Sequence, residues 1–213
     1  NIPIQNGRIT DDYRIKSSLK TIYYLLKQNP KYLILVSHLG RPKSKEDQFS
    51  LKNYLDQIQK YFETPIVFLP EIISETTNTL LSEEKNKLFL LENIRFFQSE
   101  TNYNIDNPSN ELSRYLQLGD IYVNDAFGCC HRNHMSITSF KHLNKSFGYL
   151  INDELHHLEQ ITNNQSNQKI LAIIGGGKMD DKLPLLENLS KKIETIYIAG
   201  GNINSIRKNT VYQ

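Results

Sequence analysis

Short apolar runs recur along the chain, and most of them follow a stretch with helical patterning. They are KYLILVSH (31–38), PIVFL (65–69), KLFLLEN (87–93), DIYVND (120–125), KILAIIGGG (169–177) and TIYIAGG (195–201). The first follows RIKSSLKTIYYLLKQNP, an amphipathic segment that closes at Pro30. Helical patterns over 51–63 and 109–118 precede the second and fourth. INDELHHLEQIT precedes the fifth, KMDDKLPLLENLSKK the sixth, and a helix or loop the third. Apolar runs of this length, rich in branched residues and bounded by turn residues, predict strands buried on both faces. Their alternation with helices predicts crossovers. The expected class is α/β, a doubly wound parallel sheet with crossover helices.

No repeat interrupts this order. The most linker-like segment is ITNNQSNQ (161–168), polar and without apolar periodicity. Ahead of it, Glu154, Leu155, Leu158 and Ile161 fall at helical spacing. These features predict a domain over 1–150, a connecting helix and linker over 151–168, and a second domain beginning at 169.

The totals remove several classes. A chain of 213 residues holds a core without staples. Its net charge of +2 lacks the basic excess expected of a nucleic-acid binder. No apolar run approaches the length of a membrane span, and NIPIQNGRIT has no apolar signal region. The sequons at Asn144, Asn164 and Asn188 therefore read as chance in an Asn-rich chain. The only cysteines are the adjacent Cys129 and Cys130. Neighbouring Cα atoms stand about 3.8 Å apart, too close for an ordinary disulfide. No bridge is expected, and a reducing, cytoplasmic setting fits.

Ligands of an open α/β sheet bind beyond the carboxyl ends of its strands. Just past successive runs stand His38 and Arg41 around Gly40, then Arg95, then His131, Arg132 and His134, then Lys178 and Lys182. Arg14 opens the first helical segment. Each alone reads as a surface residue. Their recurrence at one rim predicts an anion site.

Other chemistries fit less well. Cys129, Cys130, His131 and His134 crowd together in a way that suits zinc poorly, because neighbouring residues of an extended segment point apart. No metal bound by the protein is expected. Nothing sets either thiol beside a base, as a nucleophile requires. The glycine stretch fails the Walker pattern, having Ala172 and Met179 where that loop needs Gly and Ser/Thr. The dinucleotide pattern fails at Asp180. What is left is a strand, three glycines, a lysine and a helix, which suits a phosphate or is an ordinary turn.

With these residues in hand, the chain resembles the phosphoglycerate kinase family. SHLGRP, LLENIRF, YVNDAFG followed by HRNH, and IIGGGKMDDKLPLLENL look like that family's motifs in its order. NIP with GRITDDYRI looks like its opening motif, cut short. The resemblance implies two α/β domains joined by a helix and hinge. The first would hold 3-phosphoglycerate and the second, incomplete here, Mg-nucleotide. Arg14, His38, Arg41, Arg95 and Arg132 would form the acid's cluster, with Asn1, His134 and the Leu39–Gly40 backbone beside them. Gly176, Gly177, Lys178 and Lys182 would face the nucleotide. There are departures. The family's Asp before the position of Asn1 would precede the chain, GGGK and AGGN vary its glycine motifs, and its later nucleotide contacts would follow Gln213.

The implied activity is reversible phosphoryl transfer between ATP and the carboxylate of 3-phosphoglycerate, by a cytoplasmic monomer. Mg²⁺ would arrive with ATP or ADP. Such a carboxylate is already ionised near neutrality and needs no general base. Catalysis then rests on positioning and charge stabilisation. Arg14 would orient the carboxylate, while Lys178 and Lys182 would meet the phosphoryl oxygens. The competing expectation is an anion-binding module without catalysis.

Overall fold

The computed structural model describes the chain except residues 1, 73, 84, 86, 104–117, 141–142, 163–168, 176–182, 192 and 200–213. Packing divides it into two compact units, Asn1–Leu155 and His156–Gln213.

The first unit opens with a hairpin, β1 (Ile4–Gln5) against β2 (Arg8–Ile9). Asn6 and Gly7 turn it, both at positive φ, as a tight two-residue loop requires. Helix α1 (Tyr13–Lys27) follows and buries Ile15 and Ile22. It ends ahead of Pro30, with Asn29 at φ 51°. Three parallel strands come next in the order β3-β5-β4: β3 (Leu33–Leu35), β4 (Ile66–Leu69) and β5 (Leu88–Leu91). The β3–β4 crossover carries α2 (Leu55–Gln59), and the β4–β5 crossover carries α3 (Glu75–Ser82).

The central strand β5 shows why the apolar runs are continuous rather than alternating. Leu88 and Leu90 pack on one side with Ile15, Leu51 and Ile58. Phe89 and Leu91 pack on the other with Ile72, Ile94 and Met135. A strand covered on both faces has no solvent side to leave polar. The α/β class with parallel strands and crossover helices is thus what the sequence called for.

After β5 comes the short α4 (Gln98–Thr101). A second parallel pair joins β6 (Ile121–Asn124) to β7 (Asn144–Phe147), with α5 (Met135–Thr138) between them. All four β7 side chains are exposed, so no apolar run announced it. Helix α6 (Tyr149–Thr162) then leads the chain into the second unit. There β8 (Leu171–Ile174) and β9 (Thr195–Ile198) pair in parallel around α7 (Leu183–Ser190). Leu171, Ile173 and Tyr197 remain exposed on this pair, so the burial on both faces read from the sequence is not reached among the described residues. The helix expected over 109–118 falls mostly outside those residues.

Candidate anion-binding site

The loops leaving β3, β5 and β6 carry the candidate side chains, and two buried polar residues tie the first two loops together. Glu92 accepts the N–H of Leu51 at 2.8 Å and the hydroxyl of Ser50 at 2.6 Å. Asn93, fully buried, donates through Nδ2 to the carbonyls of Leu39 (2.8 Å) and Phe49 (2.9 Å). Its Oδ1 accepts the N–H groups of Leu39 (3.2 Å) and Arg95 (3.1 Å). Ile94 N–H donates to Ser37 O at 3.1 Å. Backbone groups stranded by the turns thus find partners without a strand pairing.

This stitching holds Leu39 and Gly40 in a bend that suits glycine. Gly40 has φ +62°, and the Phe49 ring fills the space a Cβ would take. The Gly40 carbonyl accepts a hydrogen bond from Nη1 of Arg95. The β3 loop therefore aims a cationic side chain of the β5 loop.

Around this bend, His38, Arg95, Arg132 and His134 lie within electrostatic reach of one another, and Arg41 reaches Arg95. Burial first, and positive neighbours that include Arg95 and Arg132, push the His38 imidazole down to about 3. Burial, then Arg132 and Arg95, lower His134 as well. Burial and the neighbouring Arg132 lower Arg95 from the usual guanidinium range. Both imidazoles are therefore neutral at pH 7. Burial, with positive neighbours as the smaller cause, thus holds both histidines uncharged beside the arginines of these loops. Nε of Arg132 is buried and has no hydrogen-bond partner among the described residues. An unmet donor at a guanidinium of this cluster marks where an acceptor would sit.

Of the residues expected here, His38, Leu39, Gly40, Arg41, Arg95, Arg132 and His134 stand on these loops. Arg14 is the exposed second residue of α1. Asn1, Gly176, Gly177, Lys178 and Lys182 lie outside the described residues. Among the described residues, no group of three or more His, Cys, Asp or Glu side chains is placed to hold a metal ion. Both cysteines are free thiols; Sγ of Cys130 stands 3.6 Å from Ala126 O, and burial raises its pKa. No helix among the described residues is long and apolar enough to cross a membrane.

Sequence reasoning missed four acidic or amide residues that tie these loops and their neighbouring elements together: Glu92, Asn93, Glu100 and Asp125. All but Glu100 sit inside the motifs quoted above, which were read only for their cations. Asp125, at the end of β6, accepts the Thr21 hydroxyl at 2.6 Å and the Ile151 N–H at 3.1 Å. One carboxylate thus joins α1, β6 and the start of α6.

The structure thus defines an α/β protein of parallel strands and crossover helices, with cationic side chains on the loops beyond its strand ends. The phosphoglycerate kinase family's sequence profile matches residues 1–213, and the chain belongs to that family. It is 34% identical to phosphoglycerate kinase of Kluyveromyces lactis, covering 98% of this chain and 53% of that protein. Against the enzyme of Wolbachia pipientis subsp. Culex pipiens, identity is 36%, over 96% and 51%. The solved phosphoglycerate kinase of Coxiella burnetii superposes with a TM-score of 0.77 at 29% identity, covering all of this chain and 53% of that one. That of Pyrococcus horikoshii, at 24% identity and a TM-score of 0.81, shares the fold. The chain spans about half the length of the relatives it matches.

Proposed function

We propose that the cluster of His38, Arg41, Arg95, Arg132 and His134, joined by Arg14 and Asn1, is a 3-phosphoglycerate site. Residues 1–150 act as the acid-binding domain, 151–168 as connecting helix and linker, and 169–213 as the start of the nucleotide domain. The reaction is phosphoryl transfer between Mg-ATP and the acid's carboxylate, in a cytoplasmic monomer. Arg14 orients the carboxylate, and Lys178 and Lys182 meet the nucleotide phosphates beside Gly176 and Gly177. The observation that carries this reading is the buried, unpartnered Nε of Arg132 among cations. Membership of the family supports the choice of acid.

Calorimetry with 3-phosphoglycerate at two salt concentrations tests it, on wild type and Arg132→Ala. Expected are weaker binding at high salt and a loss of at least about thirtyfold in the variant. Binding indifferent to both refutes it. A coupled assay for 1,3-bisphosphoglycerate accompanies it. The 213-residue chain alone is expected to bind the acid without turnover, because it spans only half of its relatives. Turnover by this chain would refute that division of labour.

A further inference from the structure

Phe49 is a half-buried aromatic residue outside the cationic cluster, packed against the core around Leu39 and Leu51. One edge of its ring stands where a Cβ of Gly40 would be. The backbone that carries the ring is held on both sides. Phe49 N–H donates to Glu46 O at 2.9 Å, and the Phe49 carbonyl accepts from Nδ2 of Asn93 at 2.9 Å. Just beyond, Glu92 takes the Ser50 hydroxyl and the Leu51 N–H. The same Asn93 amide holds both backbone groups of Leu39. Ring and bend are thus fixed in one frame.

Gly40 is the weak point of that frame. A glycine has the most conformational freedom to lose, and at φ +62° it has no side chain of its own to hold the bend. Asn93 fixes the residue before it, and the Phe49 ring backs the glycine itself. What the glycine presents matters, because its carbonyl accepts a hydrogen bond from Nη1 of Arg95. The Arg95 N–H is bonded to Oδ1 of Asn93, so this arginine is tied at its backbone and at its head. A guanidinium carries five donors in a planar fork, so one bond to Gly40 sets the plane and leaves the remaining donors for an anion. Holding a rotamer-rich side chain before the ligand arrives removes its ordering cost from binding. We infer that Phe49 is a positioning residue: by filling the space beside Gly40, its ring fixes the carbonyl that presents Arg95 to the bound anion. This rests on the reading of the cluster as a 3-phosphoglycerate site. Phe49→Ala empties that space, lets the glycine turn and takes the acceptor away from Nη1.

Arginine side-chain ¹⁵N–¹H spectra of the 213-residue chain, with Arg95 assigned by its loss in Arg95→Lys, are paired with calorimetry of 3-phosphoglycerate. Without ligand, wild type is expected to show separate, slowly rotating Nη groups at Arg95. In Phe49→Ala these merge into the averaged signal of a free guanidinium, and affinity falls about tenfold. Gln59→Ala is the structural control. It removes bonds to the Phe62 and Thr64 carbonyls and the Ile66 N–H, at the end of β4 away from these loops. That variant should lose stability and keep both the separate signals and the affinity. Phe49→Leu keeps apolar bulk on the core but withdraws the ring edge, and carries the same expectations should the alanine variant not fold. Averaged signals in wild type overturn the inference. So do separate signals or full affinity in the Phe49 variants, or equal losses in Gln59→Ala. If wild type binds no 3-phosphoglycerate, the reading of the site falls and the role toward that ligand with it, while the spectra still decide whether Phe49 holds Arg95.

Discussion

Asn93 and Leu39 exchange two hydrogen bonds, the amide Nδ2 donating to the Leu39 carbonyl at 2.8 Å and the Leu39 N–H donating to Oδ1 at 3.2 Å. A side chain here does what a neighbouring strand would do. It lets the β3 loop turn away from the sheet without leaving buried backbone groups unpaired. Because Arg95 N–H shares the same Oδ1, the amide also sets the start of the loop that carries Arg95. Asn93→Ala would strand the Leu39 and Phe49 carbonyls and two N–H groups. The expected loss is about 3 kcal/mol of stability, read as a lower urea midpoint. Asn93→Asp, which keeps Oδ1 but turns a buried carboxylate oxygen on the Leu39 and Phe49 carbonyls, should cost at least as much. An unshifted midpoint in Asn93→Ala would show that water satisfies these groups.

Gly148 and Asp125 are coupled by space. A Cβ on Gly148 would stand within 2.6 Å of Oδ2 of Asp125, a carboxylate already held by Thr21 and Ile151. Gly148→Ala is expected to cost about 2 kcal/mol, since the carboxylate cannot move without dropping a bond. In Asp125→Ala the same glycine substitution should cost little. A double-mutant cycle measures the coupling. Strict additivity would mean that the carboxylate swings aside freely.

Acid should weaken the fold through His38. Its folded value is depressed from 6.5 to about 3, so between these pH values the unfolded chain binds the proton and the folded chain does not. Stability therefore rises with pH across that window and is lost as pH falls from about 6.5 toward 3. His134, also lowered, acts in the same direction. Urea midpoints at several pH values should fall on the acid side, and His38→Gln should flatten that limb. A slope unchanged in the variant would place the acid sensitivity elsewhere.

The thiols should both be free. Alkylation in denaturant without reductant is expected to add two groups per chain, one each at Cys129 and Cys130. Elemental analysis of protein purified without chelator should find no stoichiometric zinc. One zinc per chain, or an unreactive thiol pair, would contradict the spacing argument.

Much of the frame was legible in local pattern because burial on two faces leaves a mark on neighbouring residues. LFLL reads as a covered strand from its own letters, and Leu88–Leu91 is that strand. The loop positions of His38, Arg41, Arg95 and Arg132 were legible for a related reason, as parallel strands deliver their following loops to one edge. The β1–β2 hairpin carried a signal too, in Asn6-Gly7, that went unread. Strand β7 carried none, since Asn144–Phe147 is exposed and is a strand only by pairing with β6. Nor could local pattern assign Asn93 to Leu39, 54 residues away, or Ser136 to Glu100, 36 residues away. The protonation of His38 and His134 is further still from the sequence. Hydrophobic periodicity is a property of a segment, whereas a buried hydrogen bond or a shifted pKa belongs to groups that only the folded chain brings together.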